Sequence, residues 1–340
     1  MKSPLTTLCY IEKDGKYLML HRVSKKHDVN KDKWIGIGGH FEEGESPEEC
    51  LVREAREETG LTLVSWRFCG IVTFLAEGWQ TEYMCLYTAD QFEGELCVCD
   101  EGTLEWVDKE EIMNLNLWEG DKIFLKLLAQ DAPFFSLKLS YKGDVLQYAA
   151  LDGKQLELFD ICDEYGEPTG QVTERSVAHA LGIRHRTVYV WVVRRGRNGN
   201  WQILMQKRSE KKTYPGCYGS SASGHVMAGD GYEESALREL EEEIGISAQK
   251  EDLHFAGMFD SGEICTEFNG EPFYDREISA VYIYQNPIDE ETLSLQQEEV
   301  EAVKWVDYEE CLSHVLGGDG NFCVNIRGLN LLGTYLKSQE

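Results

Sequence analysis

The chain has 340 residues, enough for about two domains of ordinary size. Its 42% hydrophobic and 11% aromatic content is sufficient for packed cores, which argues against an intrinsically disordered chain. With 61 acidic and 33 basic residues the formal net charge is -28, so the sequence disfavours binding to nucleic acid polymers and to anionic membranes.

The same order of sequence elements occurs twice along the chain. An apolar strand with a basic end is followed by a glycine-rich turn, then by an acidic helix, and later by a Trp-Val-Asp segment. A fold used twice explains this order better than a solenoid, because the repeat period is too long for one. The repeated strands and turns are 17–22 with 34–39, and 203–208 with 216–224.

A change of pattern near the middle of the chain indicates the domain boundary. Residues 134–151 alternate around Gly143 and Asp144 and predict a hairpin that closes the first domain. We therefore predict domains at 1–152 and 155–340. Short alternating strands surround each acidic helix, which favours mixed α/β domains with few helices.

Local signals define the first acidic helix. Ser46 is a candidate N-cap, Pro47 suits the first helical position, and Glu49 completes a capping box. Gly60 is a natural C-terminal stop. The second helix is predicted at about 232–244, in the same position relative to its own glycine turn.

Each predicted helix presents three glutamates on one face, at i, i+3 and i+4. Like charges at this spacing destabilise a helix by a few tenths of a kcal/mol per pair. A solvated acidic face is the ordinary explanation, but the trio recurs with an arginine directly before it, which suggests that a hard divalent cation such as Mg²⁺ offsets the repulsion. The residues are Glu54, Glu57 and Glu58 after Arg53, and Glu239, Glu242 and Glu243 after Arg238.

This spacing resembles the box of the Nudix hydrolases: Gly, five residues, Glu, seven residues, then Arg-Glu-aliphatic-x-Glu-Glu-x-Gly-aliphatic. The match runs over 39–61 and again over 224–246, with Asp230 where the box has Glu. The family glutamate braces the box arginine, so we expect the shorter aspartate to brace Arg238 less well. The resemblance implies two α/β/α sandwich domains, each with a mixed β-sheet and a loop-helix-loop box.

The resemblance also implies the chemistry. Nudix enzymes cleave diphosphate bonds in nucleotide-type substrates with Mg²⁺, or with Mn²⁺ as the alternative. Both trios and both arginines are therefore candidate catalytic residues, and the trio glutamates are candidate metal ligands. In the family a glycine carbonyl and a carboxylate from a later loop complete the ligand set. Gly39 matches the glycine, and Glu101 and Glu299 match the loop carboxylate of the first and second half. For Glu101 and Glu299 the alternative is a loop acid that is only solvated.

The first half resembles the MutT-type 8-oxo-dGTP diphosphatase branch, which would release a monophosphate and pyrophosphate. Thr7, the glycine turn and residues 117–121 carry the likeness. In that branch an indole stacks on the purine and an aspartate reads the base edge, and Trp118 and Asp121 match them. The family asparagine that bonds the oxidised purine is Ile35 here, so readout of the base must differ and other (d)NTPs stay candidates.

The second half resembles the Nudix branch close to isopentenyl-diphosphate isomerase. The proton-transfer cysteine of that isomerase is Ser223 here, whose hydroxyl is a far weaker acid. Because the box glutamates are complete, hydrolysis of a nucleoside diphosphate derivative is favoured over isomerisation. A possible second metal site, or a hydrogen-bonded brace for the glycine turn, matches the isomerase ligands in order: His179, His185, His225, Asp275 and Glu277.

Alternatives of other classes stay open at this point. One domain could be a nucleotide sensor beside an active partner, or the second half could be an isomerase. The expected partners are small nucleotides or diphosphates, and the sequence leaves a homodimer open. The cysteines are scattered and form no Cys-x-x-Cys pair, which predicts reduced thiols. The sequence has no long apolar run and no signal-peptide pattern, so we expect a cytoplasmic protein without a membrane anchor.

Overall fold

The structure is a computed structural model that describes residues 4–23, 28–268 and 270–340. It divides into an N-terminal unit, Met1–Leu158 with Val172–Val177, and a C-terminal unit, Phe159–Gln171 with Ala178–Glu340. The predicted domain limits near residues 152–155 remain a proposal. Within the described ranges, every helix is too short or too polar to cross a lipid bilayer.

The N-terminal half is built mainly from strands, with few helices, and its longest strands are Thr62–Ala76 and Glu82–Glu93. Its elements are β1 (Leu5–Lys13), β2 (Lys16–His21), β3 (Trp34–Ile35), α1 (Pro47–Thr59), β4 (Thr62–Ala76), β5 (Glu82–Glu93), β6 (Thr103–Asp108), α2 (Glu119–Ala129), β7 (Phe135–Lys142), β8 (Val145–Leu151) and β9 (Lys154–Gln155).

The elements of the C-terminal half follow a similar order. They are β10 (Leu158–Cys162), β11 (Pro168–Glu174), α3 (Arg175–Leu181), β12 (His185–Arg195), β13 (Trp201–Arg208), β14 (Tyr218–Gly219), β15 (Ala222–His225), α4 (Tyr232–Ile244), β16 (Leu253–Phe268), β17 (Glu271–Tyr284), β18 (Val300–Asp307), α5 (Tyr308–Leu316) and α6 (Ile326–Ser338).

The N-terminal sheet is mixed and covered by a helix on each face. Its strand order is β3-β2-β1-β5-β4-β7-β8-β9, with β6 beside β2, and β1–β5 and β4–β7 are parallel pairs. Adjacent residues of a strand point to opposite faces. Cys9 of β1 packs in one core with Leu51 and Ala55 of α1, while the neighbouring Tyr10 contacts Phe124 of α2. The predicted hairpin is β7–β8.

The C-terminal sheet repeats this plan. Its order is β14-β13-β12-β17-β16, with β15 beside β12 and β18 beside β13, and β12–β17 is parallel. Val190 of β12 packs with Leu240 of α4, whereas the next residue, Trp191, packs with Leu329 of α6. Each unit is therefore a sheet between helices, and the predicted α/β/α sandwiches with mixed sheets are confirmed.

Both acidic helices begin and end where the sequence predicts. The Ser46 hydroxyl accepts a 3.2 Å hydrogen bond from Glu49 N–H, and the Glu49 carboxylate accepts one of 2.8 Å from Ser46 N–H. Gly60 ends α1 and Gly245 ends α4, at φ of 77° and 76°, a conformation that favours glycine. Ser46, Pro47 and Glu49 therefore fix the start of α1, and a glycine fixes the end of both helices.

Candidate active sites

The glycine turn of the N-terminal unit lies between β1 and the acidic face of α1. Thr7 N–H donates a 2.9 Å hydrogen bond to the Gly39 carbonyl, and Gly38 N–H donates a 3.1 Å bond to Glu58 Oε2. A β-carbon at Gly39 would overlap the Glu54 carboxylate, which would then have to move away from the turn. The turn thus brings a backbone carbonyl beside the helix carboxylates.

Arg53 orients Glu54 and Glu57 of the acidic trio. Its guanidinium forms a two-pronged pair with Glu45, at 2.6 and 2.9 Å, and bonds Glu54 at 2.7 Å and Glu57 at 3.2 Å. It also donates a 2.9 Å bond to the His40 carbonyl. The Arg53 hydrogen bonds lower the pKa of Glu45 to about 2, so this brace is an ionised pair.

Glu58 is the buried member of the trio. Burial raises its pKa to about 8, opposed by the Gly38 hydrogen bond and reinforced by the charges of Glu101 and Glu54. A negative charge is therefore costly here without a cation. In each trio carboxylate one oxygen is engaged, and within the described chain the second makes no hydrogen bond. These oxygens and the Gly39 carbonyl are the ligand type that Mg²⁺ and Mn²⁺ prefer.

Glu101 reaches the same cleft through an ion pair. Its carboxylate contacts Arg22, which also bonds Asp28 at 2.9 Å. The cleft, about 680 Å³ in volume, is lined by both of these side chains, by Gly39, and by Glu58. Arg22 is the last basic residue of the repeated strand segment 17–22, so the sequence drew attention to it. Its ion pair with Glu101 was not predicted.

The predicted base-binding residues line a smaller pocket that joins this cleft. Trp118 is 3% exposed, packs edge-on against Phe74 and Tyr141, and donates a 2.9 Å bond to Asn30 Oδ1. The ring is thus part of the core and also a pocket wall. Members of the pocket include Trp118, Asp121, Ile35, Asn30, Glu82 and Met84, whereas Thr7 lines the larger cleft only.

Asp121 is the most unusual group of this pocket. Its side chain is buried, and burial raises its pKa to about 8, with Lys33 acting in the opposite direction. Within the described residues its carboxyl makes no hydrogen bond and no ion pair. A protonated carboxyl can donate a hydrogen bond to a ligand, which an ionised one cannot.

The acidic helix of the C-terminal unit meets its glycine turn in the same way. Ser223 N–H donates a 2.9 Å bond to Glu243 Oε2, and the Gln206 amide donates a second of 3.0 Å. A β-carbon at Gly224 would overlap the Glu239 carboxylate. Burial raises the pKa of both Glu239 and Glu243. Gln206 lies in the repeated strand, but its bond to Glu243 was not predicted.

The arginine brace differs between the units at Asp230, the position where the second box has aspartate in place of glutamate. Arg238 bonds Glu239 at 2.7 Å, Glu242 at 3.2 Å and the His225 carbonyl at 3.0 Å. Among the described contacts, no bond joins Arg238 to the Asp230 carboxylate. The aspartate side chain is one carbon shorter than the glutamate of the box, which accounts for the missing contact. Arg238 keeps the bonds to two trio glutamates and to a backbone carbonyl that Arg53 also makes.

Glu299 and the histidines occupy two further places in the C-terminal unit. Glu299 contacts Lys212, as Glu101 contacts Arg22. The side chains of His179, His185 and His225 approach so closely that their nitrogens lie within 4.8 Å of one another. His179 Nε2 is buried with no hydrogen-bond partner among the described residues.

Both predicted acids lie beside this histidine group, but in different ways. Glu277 Oε1 is 3.8 Å from His185 Nε2 and 3.7 Å from His225 Nε2. Asp275 Oδ1 is 3.3 Å from His179 Nδ1, which also contacts the Tyr274 carbonyl at 3.2 Å. The nitrogen-rich set and its orphaned imidazole nitrogen fit a borderline transition metal better than Mg²⁺.

Comparison with known proteins places this geometry in a family. The NUDIX domain model matches residues 2–128 and 183–320. Nudix hydrolase 3 of Arabidopsis thaliana is 40% identical over 157 residues, 45% of this chain and 20% of that protein, so the chain spans about a fifth of this relative. Oxidized purine nucleoside triphosphate hydrolase of Danio rerio is 32% identical over 152 residues, 44% of this chain and 95% of that protein.

A relative with a different activity also matches. Isopentenyl-diphosphate Delta-isomerase of Corynebacterium diphtheriae is 27% identical over 156 residues, 45% of this chain and 79% of that protein. The family model covers both halves and more than half of the residues, and it includes both acidic helices with their glycine turns. The chain belongs to the NUDIX family and carries two domains of that family in tandem.

Proposed function

We propose that the chain is a tandem pyrophosphohydrolase in which each unit cleaves a diphosphate bond of a nucleotide-type substrate with a divalent cation. The observation that carries this proposal is the repeated site: three carboxylates, an arginine brace and a close glycine turn, present in both units. Three carboxylates beside a single arginine leave excess negative charge, which is costly unless a cation offsets it.

In the N-terminal unit the candidate ligands are Glu54, Glu57, Glu58, Glu101 and the Gly39 carbonyl. Mg²⁺ or Mn²⁺ bound there would neutralise charge that develops on the phosphates. Arg53 orients two of the carboxylates, and Gly38 N–H fixes Glu58. Hydrolysis forms a bond from water oxygen to phosphorus, breaks the bridging P–O bond, and transfers the water proton to a site carboxylate.

In the C-terminal unit the corresponding ligands are Glu239, Glu242, Glu243 and Glu299, with Arg238 as the brace. The Ser223 N–H takes the place of Gly38 N–H. Because the glycine turn and the trio have the same arrangement, the same hydrolytic step is proposed here. Its substrate is a nucleoside diphosphate derivative.

For the N-terminal unit we propose an oxidised purine nucleoside triphosphate as the preferred substrate. The support is Trp118 and Asp121 in one pocket beside the carboxylates, and the name of the Danio rerio relative. The expected products are the monophosphate and pyrophosphate. Ile35 lies in the same pocket and supplies only an apolar wall.

Steady-state kinetics of the full chain tests this substrate, in a variant whose Glu242→Gln change is expected to silence the C-terminal unit. We expect kcat/KM for 8-oxo-dGTP to exceed that for dGTP by about tenfold or more, since a site that hydrogen-bonds an added group discriminates against its absence. Omission of the divalent cation should abolish both activities. Equal kcat/KM values would remove the oxidised-purine preference and leave the hydrolase proposal intact.

The C-terminal unit is proposed as a hydrolase and not as an isomerase, although its histidine group is proposed to hold a second cation. Ser223 stands at the place where the isomerase needs an acidic thiol. Its hydroxyl has a far higher pKa than a thiol and is a poor proton donor. The complete trio supports hydrolysis.

Isopentenyl diphosphate and Mn²⁺ provide a direct test of this choice. The wild-type chain should yield no dimethylallyl isomer by NMR, whereas Ser223→Cys should gain measurable isomerisation. A further His179→Ala change should remove that gain if the histidines hold the cation. Sustained isomerisation by the wild-type chain would contradict the hydrolase proposal for this unit. A gain that survives His179→Ala would contradict the second cation.

A further inference from the structure

The base pocket of the N-terminal unit contains a second carboxyl that its family likeness does not explain. The pocket is small, about 50 Å³, and opens into the larger cleft, because Asn30, Ile35, Glu82 and Met84 line both. Its apolar walls include Trp118. An inference about this pocket rests on the proposed (d)NTP hydrolysis by the N-terminal unit.

Glu82 begins β5 and lies opposite Phe74 of β4 in the antiparallel register. Its side chain is half-buried, and among the described residues it makes no hydrogen bond and no ion pair. Burial raises its pKa, with His40 lowering it and Asp28 raising it. Carboxyl groups in an apolar pocket are ordinarily hydrogen-bonded. Glu82 and the buried Asp121 are therefore suited to hydrogen-bond a polar ligand.

The polar groups of the pocket complement a guanine-type edge. A carboxylate has two acceptor oxygens and can receive two neighbouring N–H groups, such as N1–H and the 2-amino group of guanine. A protonated Asp121 can donate to the O6 carbonyl. Asn30 lines the pocket and accepts from Trp118 through Oδ1, so its amide N–H groups are not used in that bond. Ile35 can supply none of these bonds.

We propose that Glu82 is a specificity-determining residue that accepts hydrogen bonds from the N1–H and 2-amino groups of a guanine-type base, oxidised or not. It supplies from strand β5 a polar contact that Ile35 cannot make from the glycine turn. Adenine presents an acceptor at N1 and has no 2-amino group, so Glu82 should select against it. The residue acts on choice of base and takes no part in the phosphate chemistry.

The test compares guanine-type and adenine nucleotides on the full chain with Glu242→Gln as the background. Glu82→Gln replaces one acceptor oxygen by a donor and should lower kcat/KM for 8-oxo-dGTP and dGTP by about 10- to 100-fold, mainly through KM. The value for dATP should change by less than about threefold, by the same argument. Glu82→Asp should restore part of the loss, and Tyr83→Phe, on the adjacent exposed residue, should have no effect.

Three outcomes would overturn this proposal. Unchanged guanine preference in Glu82→Gln would show that the carboxyl does not contact the base, and the hydrolase proposal would stand. An equal loss for all nucleotides, mainly in kcat, would show a catalytic or structural role instead. If the parent chain hydrolyses no (d)NTP at all, the proposed substrate class fails as well, which the parent measurement alone reveals. Thermal melting of each variant checks that the fold is retained.

Discussion

Glu57→Gln should lower hydrolysis by the N-terminal unit roughly a hundredfold or more, because a ligand oxygen of the cation that stabilises the phosphates is lost. The activity of the C-terminal unit should be unchanged. Glu242→Gln should do the converse. Each trio is complete and braced by its own arginine, so the sites are expected to act independently.

The measurement is a screen of phosphorylated metabolites against the full chain and both variants with Mg²⁺. Substrates lost in Glu57→Gln should differ from those lost in Glu242→Gln. Glu241→Gln is a matched control, since this exposed neighbour on α4 lies outside the trio. Loss of every activity in either single variant, in a folded protein, would contradict independent sites. A variant that loses no activity would instead favour a sensing role for the unit that carries the change.

Glu57 and Glu242 are suited to this test because they are exposed. Their side chains are 62% and 54% accessible, and among the described residues each pairs only with the arginine four residues earlier. Exposed i,i+4 pairs contribute only a few tenths of a kcal/mol to stability. Glu58 and Glu243 are less suited, because they are buried and bond the glycine turn. A change there would mix stability with catalysis.

The acidic helices and their glycine turns could be predicted from the sequence because their signals are local. Ser46, Glu49 and Gly60 satisfy backbone groups within one or two helical turns. The spacing of the trio fixes which carboxylates share a face. The mixed sheets followed from alternating strands, but the strand order needed pairings between segments far apart in the chain, such as β4 with β7.

The contacts that complete each site could not be predicted because they join distant segments. Arg22 meets Glu101 across 79 positions, and Trp118 meets Asn30 across 88. No periodicity encodes which side chains a particular register brings together. Trp118 and Asp121 were assigned to a base pocket from the family resemblance alone. Nothing in the sequence indicated that Asp121 is buried, and this burial is what raises the pKa of its carboxyl.

Asp121→Asn should make the N-terminal unit more stable at pH 7–8, by on the order of a few kcal/mol. The carboxyl is buried with no partner among the described residues, so the fold favours its neutral form and the pKa rises to about 8. The unfolded chain ionises near the ordinary value of about 4. The wild-type fold therefore binds a proton that the unfolded chain releases across this interval.

The sign of the pH dependence follows from this difference in protonation. For a raised folded pKa, the stability associated with Asp121 is fully present below about pH 4 and is lost as the pH rises toward 8. Asparagine does not titrate, so the gap between variant and wild type should be near zero at pH 4 and widen to pH 8. Urea unfolding of both proteins at several pH values measures it. A variant that is less stable than wild type at pH 8 would mean that the folded protein holds Asp121 ionised, and the base pocket would then offer an acceptor where a donor is expected.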